Sequence, residues 1–127
     1  MNGSLVDTNV IIKLLAGDEH AVRLFSVAQD ISIPVTVAGE LFYGAYKSSR
    51  TQENLSLFMD FLSNYPILPI DDKISMSYGE IKSQLVKKGF TIPENDIWIA
   101  ATAMVHRLTL ITFDSHFSNI DSLKIQS

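Results

Sequence analysis

The feature that most restricts the fold is a short apolar segment near the N-terminus that ends in an acidic residue. Residues 4–6 (Ser-Leu-Val) predict a short buried strand, and the apolar pattern that follows predicts a helix with Thr8 or Asn9 as its N-cap. Asp7 lies between them, at the carboxyl end of the strand, where parallel α/β sheets bind ligands. Taken alone, an Asp before a helix is more simply explained as a helix cap. Its function therefore depends on whether other acids lie beside it.

The composition is that of a globular protein. The 127 residues are 46% apolar and 19% charged, so we expect residues 1–127 to form a single domain around one core. No apolar run approaches the ~18 residues that span a bilayer, and the N-terminus lacks the basic-then-apolar layout of a signal peptide. The absence of cysteine excludes disulfides, thiolate catalysis and cysteine-based zinc sites. We therefore expect a cytoplasmic protein without a membrane span.

The net charge of −4 bears on the class of partner. Modules that bind nucleic acid through their surface are usually basic, so this charge argues against a general nucleic-acid-binding module. It does not exclude a nuclease, because metal ions can neutralise the carboxylates of a nuclease site.

Strand and helix patterns alternate along the chain. Apolar, β-rich segments lie at residues 31–35, 67–70, 108–112 and 123–125, and helical patterns occupy residues 20–28, 37–49, 52–63, 74–88 and 96–104. Thr36 is in position to cap one helix and Gly89 to end another. This alternation predicts a three-layer α/β/α sandwich with a mostly parallel central sheet and right-handed crossovers.

Four acids occupy positions from which they can converge. Asp7 and Asp114 follow apolar strands, and Glu40 and Asp96 lie in the opening turns of largely apolar helices. An acid near a helix start is also explained by the helix dipole, which is how we interpret Asp71 and its neighbour. That explanation is weaker for Asp96, because the helix after it is apolar nearly all round and carboxylates are rarely buried unpaired.

Carboxylates that share a crevice need a counter-charge. At ~4 Å and an effective dielectric of about 20, each like-charge contact costs about 4 kcal/mol, so such a cluster takes up protons or holds cations. Oxygen ligands without His or Cys favour Mg²⁺ or Mn²⁺ over zinc. Because such ions activate water and stabilise phosphodiester oxygens, the acids predict a metal-dependent nuclease.

The helix that carries Glu40 presents further residues on the same face. Tyr43, Gly44 and Lys47 follow at helical spacing. Gly44 costs ~1 kcal/mol relative to Ala in a helix interior, which predicts close approach by another backbone or by a substrate. Lys47 lies ~10 Å along the helix axis from Glu40, so we expect it to contact a substrate phosphate.

The acids lie in four segments with a fixed order. These are Leu5-Val6-Asp7-Thr8-Asn9-Val10, residues 39–48 around Glu40, Asn95-Asp96-Ile97-Trp98-Ile99-Ala100-Ala101 and Thr112-Phe113-Asp114-Ser115-His116-Phe117. Together they resemble the successive motifs of the PIN domain, and more narrowly of the VapC-type toxins of prokaryotic toxin–antitoxin pairs. The resemblance covers residues 5–123. No single motif is diagnostic, but four in this order are specific.

The resemblance implies an activity and a set of partners. It implies an endoribonuclease that depends on Mg²⁺ or Mn²⁺, cleaves RNA, forms a homodimer and is silenced by a small antitoxin. The implied metal ligands are Asp7, Glu40, Asp96 and Asp114, and the implied supporting residues are Thr8, Asn9 and Thr112. Many relatives have Asn at the position of Asp114. Trp98 stands where a smaller aliphatic residue is frequent, and we expect it to pack in the core or at the dimer interface.

The histidines and aromatic residues have simpler explanations. His20, His106 and His116 are too scattered in sequence to form a ligand set, and we expect His116 to be a surface residue. The aromatic residues at positions 58, 61 and 65 are interpreted as core or subunit contacts.

Four alternative functions can be compared with the residues that each of them requires. A phosphotransfer receiver domain needs a Lys after its late strand, and no Lys follows Asp114 before Lys124. A haloacid-dehalogenase-type phosphatase needs a second Asp two residues after Asp7, where this chain has Asn9. A non-catalytic module is disfavoured because all four acids are present. A PIN nuclease that processes RNA without an antitoxin is the nearest alternative, and a short DNA-binding protein in the adjoining reading frame would decide against it.

Overall fold

A parallel sheet organises the computed structural model, which describes residues 3–127. Its strands are β1 (Ser4–Val6), β2 (Ile31–Pro34), β3 (Ile67–Leu68), β4 (Thr109–Ile111) and β5 (Ile125–Gln126). They pair in the order β3-β2-β1-β4-β5, and each observed pairing is parallel. β1 therefore lies at the centre of the sheet, with β4 beside it.

The helices connect and cover these strands. They are α1 (Thr8–Leu15), α2 (Glu19–Val27), α3 (Val35–Tyr46), α4 (Thr51–Leu62), α5 (Asp72–Lys88) and α6 (Glu94–His106), followed by a short 3₁₀ helix (Ser115–Asn119). The predicted α/β/α class is confirmed. Within the described residues no helix is both long enough and apolar enough to cross a membrane.

The core forms where the central strands meet α6. Leu5, Leu110 and Ile111 are fully buried, as expected for strands covered on both faces. Ala100 and Ala101 of α6 are also fully buried. Their small side chains allow the helix to lie close to its neighbours, and this packing fixes the position of its N-terminal turn, which carries one of the candidate acids.

Several predicted element ends are wrong by a few residues. α3 begins at Val35 rather than after Thr36, because Pro34, with φ −66° and ψ 143°, is already in the extended conformation of an N-cap residue. Thr36 therefore lies inside the helix, and its buried hydroxyl finds no hydrogen-bond partner among the described residues. α6 likewise begins at Glu94, two residues before Asp96.

The close approach predicted at Gly44 is absent within this chain. A Cβ built there would meet nothing within 4 Å apart from its chain neighbours and its own helix backbone, so no other backbone of the described residues approaches this glycine. The groove beside it, of about 260 Å³, is lined by residues of α1, α3 and α4. Close approach by the backbone of a second chain, or by a substrate, stays a prediction.

Gly89 offers a test of the fold itself. It ends α5 in the left-handed conformation, with φ 80°, as predicted, while its N–H binds the helix carbonyls. Because a Cβ there would meet nothing within 4 Å, Gly89→Ala should cost only backbone strain, about 1 kcal/mol of unfolding free energy. Gly79→Ala, in the exposed interior of the same helix, is the matched control and should stabilise by about 0.5–1 kcal/mol. Urea unfolding measures both; shifts of the same sign would contradict the assigned conformations.

Candidate active site

The carboxyl ends of β1 and β4 bring the candidate acids together. Asp7 directly follows β1 and is only 5% exposed. Asp114 follows the neighbouring strand β4, while Glu40 comes from α3 and Asp96 from the first turn of α6. All three are partly buried. The structure thus gathers the four predicted acids at one edge of the sheet; their assignment as metal ligands stays a prediction.

Asp7 has two structural roles at once. Its Oδ1 accepts a hydrogen bond of 2.8 Å from the backbone N–H of Thr8, so Asp7 caps α1, and the prediction of Thr8 or Asn9 as the cap is wrong. Its Oδ2 accepts a hydrogen bond of 2.7 Å from the Thr112 hydroxyl. Capping and membership of the acidic cluster are therefore compatible, because each uses a different carboxylate oxygen.

The predicted supporting residues connect the acids to one another. The Thr112 hydroxyl, which donates to Asp7, also accepts a 3.0 Å hydrogen bond from the backbone N–H of Asp114. The Thr8 hydroxyl donates to Glu40 Oε1 at 3.1 Å. Asn9 accepts a 3.3 Å hydrogen bond from a backbone N–H in the segment after β4. These contacts fix the orientation of the carboxylates relative to one another.

Burial and mutual repulsion make the cluster favour protons. Desolvation raises the pKa of Asp7 above its usual value, and the negative charge of Asp114 adds to the effect. Desolvation also raises the pKa of Glu40, with a smaller contribution from Asp7. The largest shift is at Asp96, where burial, followed by the charges of the other three acids, raises the pKa to about 6. Carboxylates in this state take up protons or cations.

His116 belongs to the same cluster, which the sequence did not predict. Its side chain is half exposed, as expected of a surface residue, yet its Nδ1 lies 3.0 Å from Asp114 Oδ1 and 3.7 Å from Asp96 Oδ2. The structure therefore places an imidazole nitrogen beside the carboxylates, and the expectation of an all-oxygen set of metal ligands stays a prediction. The available signal was the two-residue spacing from Asp114, which becomes informative only once Asp114 is known to cap the 3₁₀ helix.

The donor set fits a divalent cation. Donor atoms of Asp96, Asp114 and His116 lie within 4.8 Å of one another. Carboxylate oxygens and an imidazole nitrogen are ordinary ligands of divalent ions. The raised pKa of Asp7 and of Asp96 gives an independent reason, because a bound cation would remove the repulsion between these groups.

Lys47 and Trp98, which the sequence also pointed to, each contact an aromatic ring. Lys47 is exposed at the end of α3, with its Nζ 5.1 Å from the centre of the Tyr43 ring. Its predicted contact with a phosphate stays a prediction. Trp98 stacks on Tyr78 with ring centres 3.9 Å apart, so it packs between α5 and α6 within the chain.

Comparison with known proteins assigns the family. The model of the PIN domain family matches residues 4–123, so the chain belongs to the PIN domain family. Within it, the chain is similar to VapC ribonucleases. Ribonuclease VapC2 of Haemophilus influenzae is 36% identical over 110 residues, covering 85% of this chain and 83% of the relative. Ribonuclease VapC2 of Rickettsia felis is 30% identical, covering 97% and 96%.

Solved structures agree with this family. The crystal structure of VapBC2 from Rickettsia felis bound to a DNA fragment from their promoter gives a TM-score of 0.88 at 29% identity, covering 97% of this chain and 96% of that one. DNA-bound VapBC from Salmonella typhimurium gives 0.90 at 28% identity, covering 99% and 98%. The resemblance inferred from the motifs is thus confirmed.

Proposed function

We propose that this protein is an endoribonuclease, the toxin of a VapBC-type toxin–antitoxin pair, that cleaves RNA with the help of Mg²⁺ or Mn²⁺. The observation that carries the proposal is the convergence of four carboxylates at the ends of two adjacent strands, with the pKa of Asp96 raised to about 6 by burial and by its acidic neighbours. The names of the relatives, VapC ribonucleases, support the same activity. The proposal treats residues 1–127 as one nuclease domain.

The proposed ligands are the four acids Asp7, Glu40, Asp96 and Asp114. When bound, Mg²⁺ or Mn²⁺ supplies charge stabilisation to the phosphodiester oxygens and lowers the pKa of water. The pKa values of these carboxylates set the pH above which the ion binds, since a carboxylate binds a cation only after losing its proton.

The remaining residues hold this site in shape and orient the RNA. Thr112 donates to Asp7 and Thr8 donates to Glu40, so each hydroxyl keeps one carboxylate oxygen directed. Asn9 ties the start of α1 to the segment after β4. Lys47, exposed on the helix that carries Glu40, is proposed to contact an RNA phosphate, because an ammonium group attracts the backbone charge.

The experiment that tests the activity is digestion of total cellular RNA by purified protein freed of any partner, with the cleavage ends mapped. We expect discrete cuts with Mg²⁺ or Mn²⁺ and none after chelation. Equal cutting in the presence of excess chelator would contradict the metal dependence, and no cutting with either ion would contradict the ribonuclease.

The proposed partners are a small antitoxin, a second copy of the chain, and RNA, all in the cytoplasm. Three of the structures similar to this chain are VapBC complexes, which supports an antitoxin. Ile12 of α1 and Leu57 of α4 are about half exposed, beside the groove of about 260 Å³ next to Gly44. We propose that an apolar segment of the antitoxin occupies this groove while a basic side chain, Arg by preference, pairs with Glu40 or Asp96.

A charged side chain introduced into the groove should weaken antitoxin binding without changing RNA cleavage. Leu57→Asp is expected to weaken the complex at least about tenfold, because a carboxylate would be buried in an apolar contact. RNA cleavage by the free protein should not change. Met76→Asp is the matched control, since Met76 is 80% exposed on α5 and lies outside the groove. Calorimetry measures the affinity of each variant for the co-expressed partner.

The partner supplies the second half of this test. Truncating the antitoxin tail, or replacing its basic residue by Ala, should release ribonuclease activity. Both parts are needed, because an exposed ion pair contributes only ~0–1 kcal/mol. Complete silencing by the truncated partner would mean that inhibition does not involve the acidic crevice.

A further inference from the structure

We propose that His116 is an additional ligand of the metal site, and that its imidazole nitrogen shifts the site's preference toward Mn²⁺ and other first-row transition ions over Mg²⁺. The inference rests on the proposed function, since it concerns the ion that the four acids hold. It goes beyond that function by adding a nitrogen donor to an all-oxygen set and by deriving a metal preference from it.

The position of His116 Nδ1 carries the proposal. This one atom lies 3.0 Å from an oxygen of Asp114 and 3.7 Å from an oxygen of Asp96, on two different elements of the fold. Ligand atoms around an ion with bonds of about 2.0–2.1 Å are typically about 3–4 Å apart. The nitrogen is therefore at separations from both carboxylate oxygens that a shared cation requires, and donor atoms of all three residues lie within 4.8 Å of one another.

The local fold holds the imidazole in this place. Asp114 caps the 3₁₀ helix, and its Oδ1 accepts a 2.9 Å hydrogen bond from the backbone N–H of His116. Phe117, the next residue, is fully buried and anchors the same helix to the core. His116 thus lies between a capping carboxylate and a core side chain, so its direction is set by its neighbours even though half of the side chain is exposed.

A second explanation of the same geometry is that His116 only orients Asp114, with Nδ1–H donating to the carboxylate. In that case a proton lies between the nitrogen and the oxygen, and the nitrogen does not coordinate the ion. The two explanations differ in one observable, namely whether a bound ion has a nitrogen nucleus in direct contact.

The nature of the donor sets the metal preference. Mg²⁺ is a hard ion that takes oxygen ligands and retains its waters. Imidazole nitrogen instead suits divalent first-row transition ions, whose affinity for a given site is lowest for Mn²⁺ and rises along the series. In a site of four carboxylates alone, the type of donor atom would discriminate little between Mn²⁺ and Mg²⁺. Adding one nitrogen donor should favour Mn²⁺, and removing it should bring the affinities for the two ions closer together.

Pulsed electron paramagnetic resonance of bound Mn²⁺ tests this directly. The metal-free protein receives less than one equivalent of Mn²⁺ at about pH 8. We compare the wild type with His116→Gln, which retains a polar side chain, and with the control His106→Gln, which changes an exposed histidine at the far end of α6. Titration calorimetry with Mn²⁺ and with Mg²⁺ accompanies the spectra.

The expected result is ¹⁴N modulation from a directly bound nitrogen in the wild type and in His106→Gln, and its loss in His116→Gln. The ratio of Mn²⁺ to Mg²⁺ affinity should fall about tenfold in His116→Gln alone. Bound Mn²⁺ without nitrogen modulation in the wild type, or modulation that persists in His116→Gln, would overturn the role of His116 and leave the acidic site standing. Failure of the wild type to bind Mn²⁺ at all would instead overturn the metal site itself, and both proposals with it.

Discussion

Asp7→Asn is expected to lower the rate of RNA cleavage at least about a thousandfold while the chain stays folded. Asp7 is the most buried of the four acids, at 5% exposure. The substitution keeps the size of the side chain but removes its charge, and its amide group can no longer accept a hydrogen bond from both Thr8 and Thr112. Asp96→Asn and Glu40→Gln should have effects of the same kind, because each removes one carboxylate from the cluster.

Folding and activity are measured together in this experiment. Removing one negative charge relieves repulsion, so Asp96→Asn should melt at or above the wild-type temperature in metal-free buffer. Asp72→Asn is the matched control: it lies in the exposed first turn of α5, and its charge is not among the causes of the raised pKa values of Asp7, Glu40 and Asp96, so it should cleave at the wild-type rate. Wild-type cleavage by Asp7→Asn or Asp96→Asn would show that these acids are not the active site.

The metal-free protein is expected to become less stable as the pH rises from about 4 to about 6, and divalent cations should reverse the loss. The pKa of Asp96 is raised from 3.8 to about 6 in the folded state. The folded chain then binds more protons than the unfolded chain within this interval, so the free energy of unfolding falls as the pH rises. Allowing for solvent screening, the loss from this group is about 1–2 kcal/mol.

Added metal gives the complementary result. Near neutral pH, Mn²⁺ at about 100 times its dissociation constant should raise the free energy of unfolding by about 2.7 kcal/mol. The stabilisation should fade below about pH 6, where protons compete for Asp96. Thermal unfolding across the acid range, with and without Mn²⁺, measures both effects, and Asp96→Asn should flatten the pH dependence. A melting temperature that millimolar Mn²⁺ leaves unchanged at neutral pH would contradict the cation site.

The sequence predicted the fold where one physical effect dominated. The strands at residues 4–6 and 109–111 are short apolar runs that only a covered parallel sheet can bury, so their presence and type were clear. The end of α5 at Gly89 was equally clear, because the left-handed backbone conformation that ends the helix is adopted most readily by glycine. The start of α3 was misplaced because two capping signals competed. Pro34 had the required backbone conformation, whereas Thr36 had only a suitable side chain.

The sequence predicted that the four acids lie together, but it did not predict the contacts between them. Four acids placed after strands or at helix starts were enough to expect convergence, since parallel strands share an edge. Whether Asp7 caps α1 or joins the cluster was treated as an alternative, and the structure has it do both with separate oxygens. His116 was missed because its approach to Asp96 depends on how the 3₁₀ helix lies against α6. A contact between residues twenty positions apart in the chain leaves no local pattern in the sequence.

The most direct test of the central claim is a titration in which Mn²⁺ binding and RNA cleavage are measured on the same samples. Protein stripped of metal and of any partner receives increasing Mn²⁺; calorimetry reports the bound ion and mapped RNA ends report the rate. If the acids at the ends of β1 and β4 form the active site, cleavage will rise from zero and saturate together with binding, and Asp96→Asn will weaken both. Cleavage at full rate before any ion is bound, or saturated binding without cleavage, would contradict the account.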